Sequence, residues 1–229
     1  MREAFVNIII KFLLWVLCKI DYGTLSQIPK DGPLILFGNH INFLDAPLVF
    51  SYLWPRKFVS LVKKETFDSP FLRFLFNTWH GIPVNRGTAD FTALKTALKA
   101  LEDKKILVLA PEGTRTNDGK LIKGNPGILA IAQKSNAPII PVGLYGTEKF
   151  HENFRKLKRT KVFFRVGTPF SLALDSKFPD QQTRSLATDE VMFQLAKLLP
   201  EQNRGYYSDV ENATTHYLRF LEDIPGNKQ

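Results

Sequence analysis

His40 and Asp45 lie five residues apart in the stretch Gly38-Asn39-His40-Ile41-Asn42-Phe43-Leu44-Asp45, and that spacing raises a chemical question. On one helix five residues would set the two side chains about 140° apart, so they meet only if the backbone between them turns. Such a turn brings the carboxylate to one imidazole nitrogen and leaves the other free to accept a proton. The carboxylate then stabilises the imidazolium that forms. The same residues also have an ordinary reading, with Asp45 capping a helix and His40 a satisfied loop residue.

Three further stretches carry charged groups next to short apolar runs. In Gly81-Ile82-Pro83-Val84-Asn85-Arg86-Gly87, Arg86 stands just before a helix expected to be capped by Thr88. An arginine beside a helix N-terminus offers bidentate donors and free backbone amides to a phosphate. A surface arginine without a partner is the plain alternative. In residues 107–124, an apolar run leads into Pro111-Glu112-Gly113-Thr114-Arg115, with Lys120 and Lys123 following. Gly113 permits an unusual backbone angle there, although a polar turn with an incidental ion pair reads equally well. In residues 137–148 an apolar run contains Pro141, which lacks a ladder donor and so predicts a sheet edge or a bulge.

The elements that would position these groups alternate. Leu34–Phe37, Phe58–Val62, Ile106–Leu109, Ile139–Leu144 and Val162–Val166 read as buried strands. Residues 88–103, 125–136 and 185–199 read as helices, the first with Phe91, Leu94, Leu98 and Leu101 on one face. A further helix is expected from Tyr206 to Leu221. Pro47 suits the first turn of a helix running through Leu48–Leu53. This alternation predicts an α/β layered domain with a central, mostly parallel sheet flanked by helices. His40, Glu112 and Arg115 then fall at the carboxyl ends of strands, where ligands bind in open α/β sheets.

The chain is 44% hydrophobic and 23% charged, which fits one globular domain and argues against disorder. Its single cysteine, Cys18, excludes an intramolecular disulfide and fits a reducing compartment. The formal charge of +9 draws nucleic acid, anionic lipid or an acidic protein. Residues 5–20 are almost wholly apolar but interrupted by Lys11 and Lys19. The run is shorter and more charged than the roughly 20 apolar residues a spanning helix needs, which favours lying on a membrane over crossing it without deciding between them. Glu3, Asn7, Lys11 and Cys18 form one narrow polar stripe on this segment. That pattern predicts a membrane-interface helix over 1–22 with lysines reaching headgroups, followed by the domain proper over 23–229. A buried core helix is the alternative. No small-residue cleavage site follows it.

The four stretches, in this order, resemble the four motifs of the lysophospholipid acyltransferase family, whose type member is 1-acylglycerol-3-phosphate acyltransferase. Asn39, His40 and Asp45 match its N-H-x-x-x-x-D motif and Arg86 the arginine closing its second. Ala110 to Thr116 match aromatic-P-E-G-T-R-S, and Ile140-Pro141-Val142 match the fourth. Two positions depart from the pattern: Ala110 stands for the aromatic and Thr116 for the serine, and neither removes a titratable group. The resemblance covers roughly residues 30–170.

It implies acyl transfer from a thioester, acyl-CoA or acyl carrier protein, to a lysophospholipid hydroxyl, with no cofactor and no metal. His40 would be the base, oriented by Asp45. Arg86 and Arg115 would bind the acceptor's phosphate, with Glu112, Gly113 and Thr114 shaping that pocket. The implied acceptor is 1-acylglycerol-3-phosphate, the product phosphatidic acid, and the location the cytoplasmic face of a membrane. Another lyso-lipid acceptor is the enzymatic alternative. A non-catalytic basic module binding anionic membranes is the alternative of another class. The cluster Arg155-Lys156-Leu157-Lys158-Arg159-Thr160-Lys161 feeds it, and would equally dock an acidic carrier protein. No nucleic-acid-binding motif accompanies that cluster.

Overall fold

The computed structural model describes residues 2–85, 90–176 and 178–222. Its elements, in chain order, are α1 (Arg2–Leu17), β1 (Cys18–Asp21), β2 (Leu34–Gly38), α2 (Asp45–Leu53), β3 (Phe58–Lys63), α3 (Pro70–Thr78), β4 (Gly81–Val84), α4 (Phe91–Glu102) and β5 (Ile106–Leu109). There follow α5 (Gly127–Ser135), β6 (Ile139–Tyr145), α6 (Phe150–Arg155), β7 (Thr160–Val166), β8 (Phe170–Leu172), α7 (Gln181–Ala196) and β9 (Leu218–Phe220). The sheet runs β1-β7-β6-β2-β5-β3-β4, with β8 and β9 added beside β6. β2 pairs in parallel with β5 and β6, β3 with β4 and β5, and β1 with β7. Only the pairings through β7–β6 and β8 are antiparallel. The expected α/β class with a mostly parallel central sheet is therefore the fold.

Period-two alternation sends neighbouring residues of one strand into two cores. Ile35 and Phe37 of β2 pack with α4, α5 and α7 on one face. Leu34 and Leu36 pack with α1, α2, α3 and α6 on the other. A strand buried on both faces has no polar side, which is why β2, β5 and β6 read as continuous apolar runs.

Several elements differ from the sequence reading, each for a local reason. α4 starts at Phe91 rather than in the region of Thr88, which lies outside the described residues. Asp90 is its cap: Oδ1 accepts from Ala93 N and Oδ2 from Asn85 N. Its core face is Ala93, Ala97, Ala100 and Leu101, the three alanines being small enough to let the helix approach the sheet, and Phe91 is left exposed. The tail forms no helix over 206–221. Glu190 on α7 accepts from Thr214 Oγ1, His216 N and Tyr217 N, and these bonds hold the backbone extended into β9. Pro141 lies in β6, an interior strand, not at an edge or bulge. Its carbonyl accepts from Gly167 N, so the missing donor faces the end of the β6–β7 ladder and no bond to β2 is lost.

The N-terminal segment departs most. Its helix stops at Leu17, and Cys18–Asp21 continue as a strand of the sheet. Two members of the polar stripe, Asn7 and Cys18, face inward, while Lys11 stays exposed and Glu3 half-buried. Asn7 is fully buried, its Oδ1 accepting from Trp79 Nε1 at 3.1 Å and its Nδ2 donating to Glu3 O at 2.9 Å. Cys18 is buried as well, and burial pushes its thiol up to about 11. The outward face carries Phe5, Ile8, Phe12 and Trp15, all exposed. Among the described residues no helix is long and apolar enough to cross a membrane.

Gly38 closes β2 at the sheet edge that carries His40, and a Cβ there would lie 2.8 Å from Val142 O. Gly38→Ala is therefore expected to push β2 away from β6, at the overpacking cost of about 1–3 kcal/mol. Thermal denaturation measures that loss. Turnover should fall further than the loss of folded protein accounts for, because the displaced backbone leads straight into His40.

Candidate active site

The connector from β2 to α2 folds around a single carboxylate oxygen. Asp45, the first residue of α2, accepts at Oδ2 from His40 Nδ1 (2.7 Å), Ile41 N (2.6 Å) and Asn42 N (2.9 Å). The turn needed to join His40 to Asp45 is thus in place. Two asparagines pin the turn to the end of β6. Asn39 donates to Leu144 O and accepts from Leu144 N, as a strand residue would, and Asn42 donates to Thr147 O while accepting from Leu44 N. Asn39 is legible in the sequence as part of the motif, whereas the one local signal for Asn42 is an Asn three residues before the start of α2.

With Nδ1 directed to Asp45, the remaining His40 nitrogen, Nε2, has no partner among the described residues. The ring, its side chain 24% exposed, lines a cavity of about 1480 Å3. That exceeds the roughly 300–1,000 Å3 of an ordinary small-molecule site. One end of the cavity holds His40, Asp45, Glu112 and Arg115. Much of the remaining wall is apolar, with Ile10 and Leu13 of α1, Val49 and Phe50 of α2, and Leu72 and Trp79, while Arg2 and Lys63 also line it. A polar end with an unpartnered imidazole nitrogen and a long apolar body suits a substrate with one reactive polar group and a hydrocarbon chain.

The loop after β5 is clasped to the His40 turn. Glu112 is buried, and its Oε1 accepts from His40 N (2.8 Å) while Oε2 accepts from Ile122 N (3.2 Å). Thr116 N and Asn117 N donate to the carbonyls of His40 and Ile41. Gly113 sits at φ +70°, a conformation that favours glycine, where a Cβ would meet Asn125 Nδ2 at 3.0 Å. Asn125 holds the loop from the other side through the carbonyls of Pro111 and Glu112. Glu112 therefore spends both oxygens on backbone donors and acts as a brace between two loops. Thr114 and Arg115 line the cavity from exposed positions, and Arg115 forms no ion pair among the described residues. Arg86 lies outside the described residues; its neighbour Asn85 lines the same cavity.

Burial pushes the Glu112 carboxyl up to about 7, against the two backbone N–H donors that favour its ionised form. A group raised in the folded state contributes stability that is complete below its ordinary value of 4.5 and is lost as pH rises through about 7. Glu112→Gln is therefore expected to flatten the fall of unfolding free energy between these pH values. Denaturant titrations of both proteins across that range measure the difference. Identical pH profiles would mean that Glu112 titrates as it does in the unfolded chain.

Comparison with known proteins converges on one group. A family model described as Acyltransferase matches residues 19–145, more than half of the chain. The 1-acyl-sn-glycerol-3-phosphate acyltransferase of Borreliella burgdorferi is 29% identical over 190 residues, covering 81% of this chain and 76% of that protein. The enzyme of the same name from Bacillus subtilis is 25% identical over 173 residues, covering 76% and 84%. The crystal structure of the 1-acyl-sn-glycerophosphate acyltransferase PlsC from Thermotoga maritima shares the fold, with a TM-score of 0.61 at 24% identity over 86% of this chain and 78% of that one.

Proposed function

The chain belongs to the acyltransferase family, and from that premise we propose that it transfers a fatty acyl group from a thioester donor to the free hydroxyl of 1-acylglycerol-3-phosphate, forming phosphatidic acid. The observation that carries the reading is the His40–Asp45 pair at 2.7 Å, set at the polar end of a large apolar cavity. Nδ1–H donates to Asp45, so Nε2 is the acceptor. It takes the proton of the acceptor hydroxyl as that oxygen attacks the thioester carbonyl. The tetrahedral intermediate expels the thiolate, which leaves as a thiol with the proton returned from His40. A thioester is already activated, so no serine or cysteine nucleophile is required.

Arg115, on the loop that Glu112 braces against the His40 turn, is the described cation best set to meet the acceptor's phosphate. Arg86 joins it on the strength of the motif resemblance. The apolar body of the cavity takes an acyl chain. α1 lies on a membrane surface through its bare face of Phe5, Phe12 and Trp15, with Phe71 and Phe74 of α3 beside it. At 16 residues, or about 24 Å, it is shorter than the roughly 30 Å hydrocarbon core.

Three outcomes test this. His40→Ala should lose roughly 10²–10⁴-fold in turnover while keeping its fold, and Asp45→Asn should lose less. Arg115→Ala should cost roughly 1.5–3 kcal/mol in acceptor binding, and discriminate less between the phosphate acceptor and a monoacylglycerol. An equal loss on both acceptors would assign Arg115 to the donor or the fold. Mass spectrometry of products from a matrix of thioester donors and lyso-lipid acceptors identifies both substrates.

Phe12→Ser with Trp15→Ser should weaken sedimentation with vesicles, and high salt alone should not release the native protein. Complete release by salt would make the attachment electrostatic and the α1 reading wrong.

A further inference from the structure

The turn after α6 carries an unusual pairing of features. Leu157 is 93% exposed and sits at φ +53°, a conformation a branched side chain rarely adopts. Nothing in the fold uses its side chain. It stands between Lys156 and Lys158 within a run holding five cations in residues 155–161. Of these cations only Lys156 forms an ion pair among the described residues, with Glu152 at 2.6 Å. Lys19 of β1 lies in register beside Lys161 of β7, so two like charges share one exposed face without a neutralising partner between them.

This turn is joined to both functional regions. Arg159 donates to the carbonyls of Trp15 and Cys18 at the end of α1, and its guanidinium lies 5.7 Å from the centre of the Trp15 ring. In the other direction a train of rings runs back to the His40–Asp45 connector: Phe154 stacks on Phe150 at 5.7 Å, and Phe150 meets Phe43 edge-on at 5.6 Å. Phe43 and Phe154 are themselves exposed. An apolar tip flanked by cations, of which Arg155, Lys158 and Lys161 form no ion pair among the described residues, complements an anionic lipid surface: the leucine enters the apolar layer and the cations meet phosphates.

The geometry points to residues 154–161, with Lys19, as a second membrane contact selective for anionic phospholipid, set on the opposite side of the His40 connector from α3. It rests on the reading that α1 lies on a membrane. Its consequence is orientation: two contacts bracketing the connector fix how the cavity faces the lipid, where one helix alone leaves the protein free to roll.

The test attaches an environment-sensitive fluorophore at Leu157→Cys in the full chain; the other cysteine, Cys18, is 1% exposed and labels slowly. Vesicles of phosphatidylglycerol should shift the emission to the blue and vesicles of phosphatidylcholine should not. Arg155→Gln and Lys158→Gln should each weaken the anionic response about fivefold. Leu157→Gly, which suits the backbone angle, should weaken vesicle binding and preserve thermal stability. A silent fluorophore on protein that still sediments with the vesicles would overturn this contact and leave the α1 reading standing. Failure to sediment with either vesicle would sink the α1 reading and this one with it. A silent fluorophore, with turnover lost in the glutamine variants only for an acyl carrier protein donor, would assign the turn to that protein and overturn the lipid assignment.

Discussion

Oδ2 of Asp45 receives His40 Nδ1 and the backbone N–H groups of Ile41 and Asn42, and the connector between β2 and α2 takes the one shape that meets all three. Hydrogen bonds to a charged group contribute about 1.5–3 kcal/mol each, so this oxygen outweighs the cost of the other. Oδ1 is buried with no partner among the described residues, a penalty of about 1–3 kcal/mol for an unsatisfied polar atom. The imbalance is informative. Asp45 is not a cap of α2, because the two backbone groups it holds precede the helix and no side chain caps the helix start. Here the turn and the ring orientation are one interaction, and displacing the carboxylate removes both.

Everything around that oxygen serves to keep it in place. Asn39 copies a strand residue against Leu144, Asn42 ties the turn to Thr147 O, and Glu112 fastens the next loop to His40 N. These ties run to β6 and to the loop after β5, so the ends of three adjacent parallel strands are locked to one another at the edge that holds the imidazole. Rigidity at a site comes from such second contacts, because the first contacts alone leave the ring free to tilt.

The strands around the site were legible because burial on both faces makes each a continuous apolar run with no competing periodicity. His40 and Asp45 were legible by type, spacing and position after such a run. What escaped was set by contacts far apart in the chain. A helix is a reasonable expectation for residues 206–221 until Glu190 takes their backbone donors, and nothing local to that stretch announces a carboxylate on α7. The role of Glu112 escaped in the same way. Its sequence neighbours place it in a polar turn, and only the fold shows His40 N and Ile122 N arriving at its two oxygens. α1 misled by its polarity. A stripe of Glu3, Asn7, Lys11 and Cys18 looks like the wet side of a helix, yet Trp79 presents a buried indole N–H that only a polar partner can satisfy, and Asn7 turns inward to meet it.

Asn7 turns inward on α1, and among the residues left bare Phe5, Ile9 and Leu13 also line the cavity. Phe5, Phe71 and Phe74 belong both to the bare surface and to the cavity lining, so the proposed acyl site adjoins the proposed bilayer. For an enzyme so built the concentration that governs rate is a density, molecules per unit of membrane area, and not a bulk molarity. Diluting the acceptor with inert lipid would then slow the reaction at constant total acceptor. Adding more membrane of the same composition would change only how much enzyme is bound.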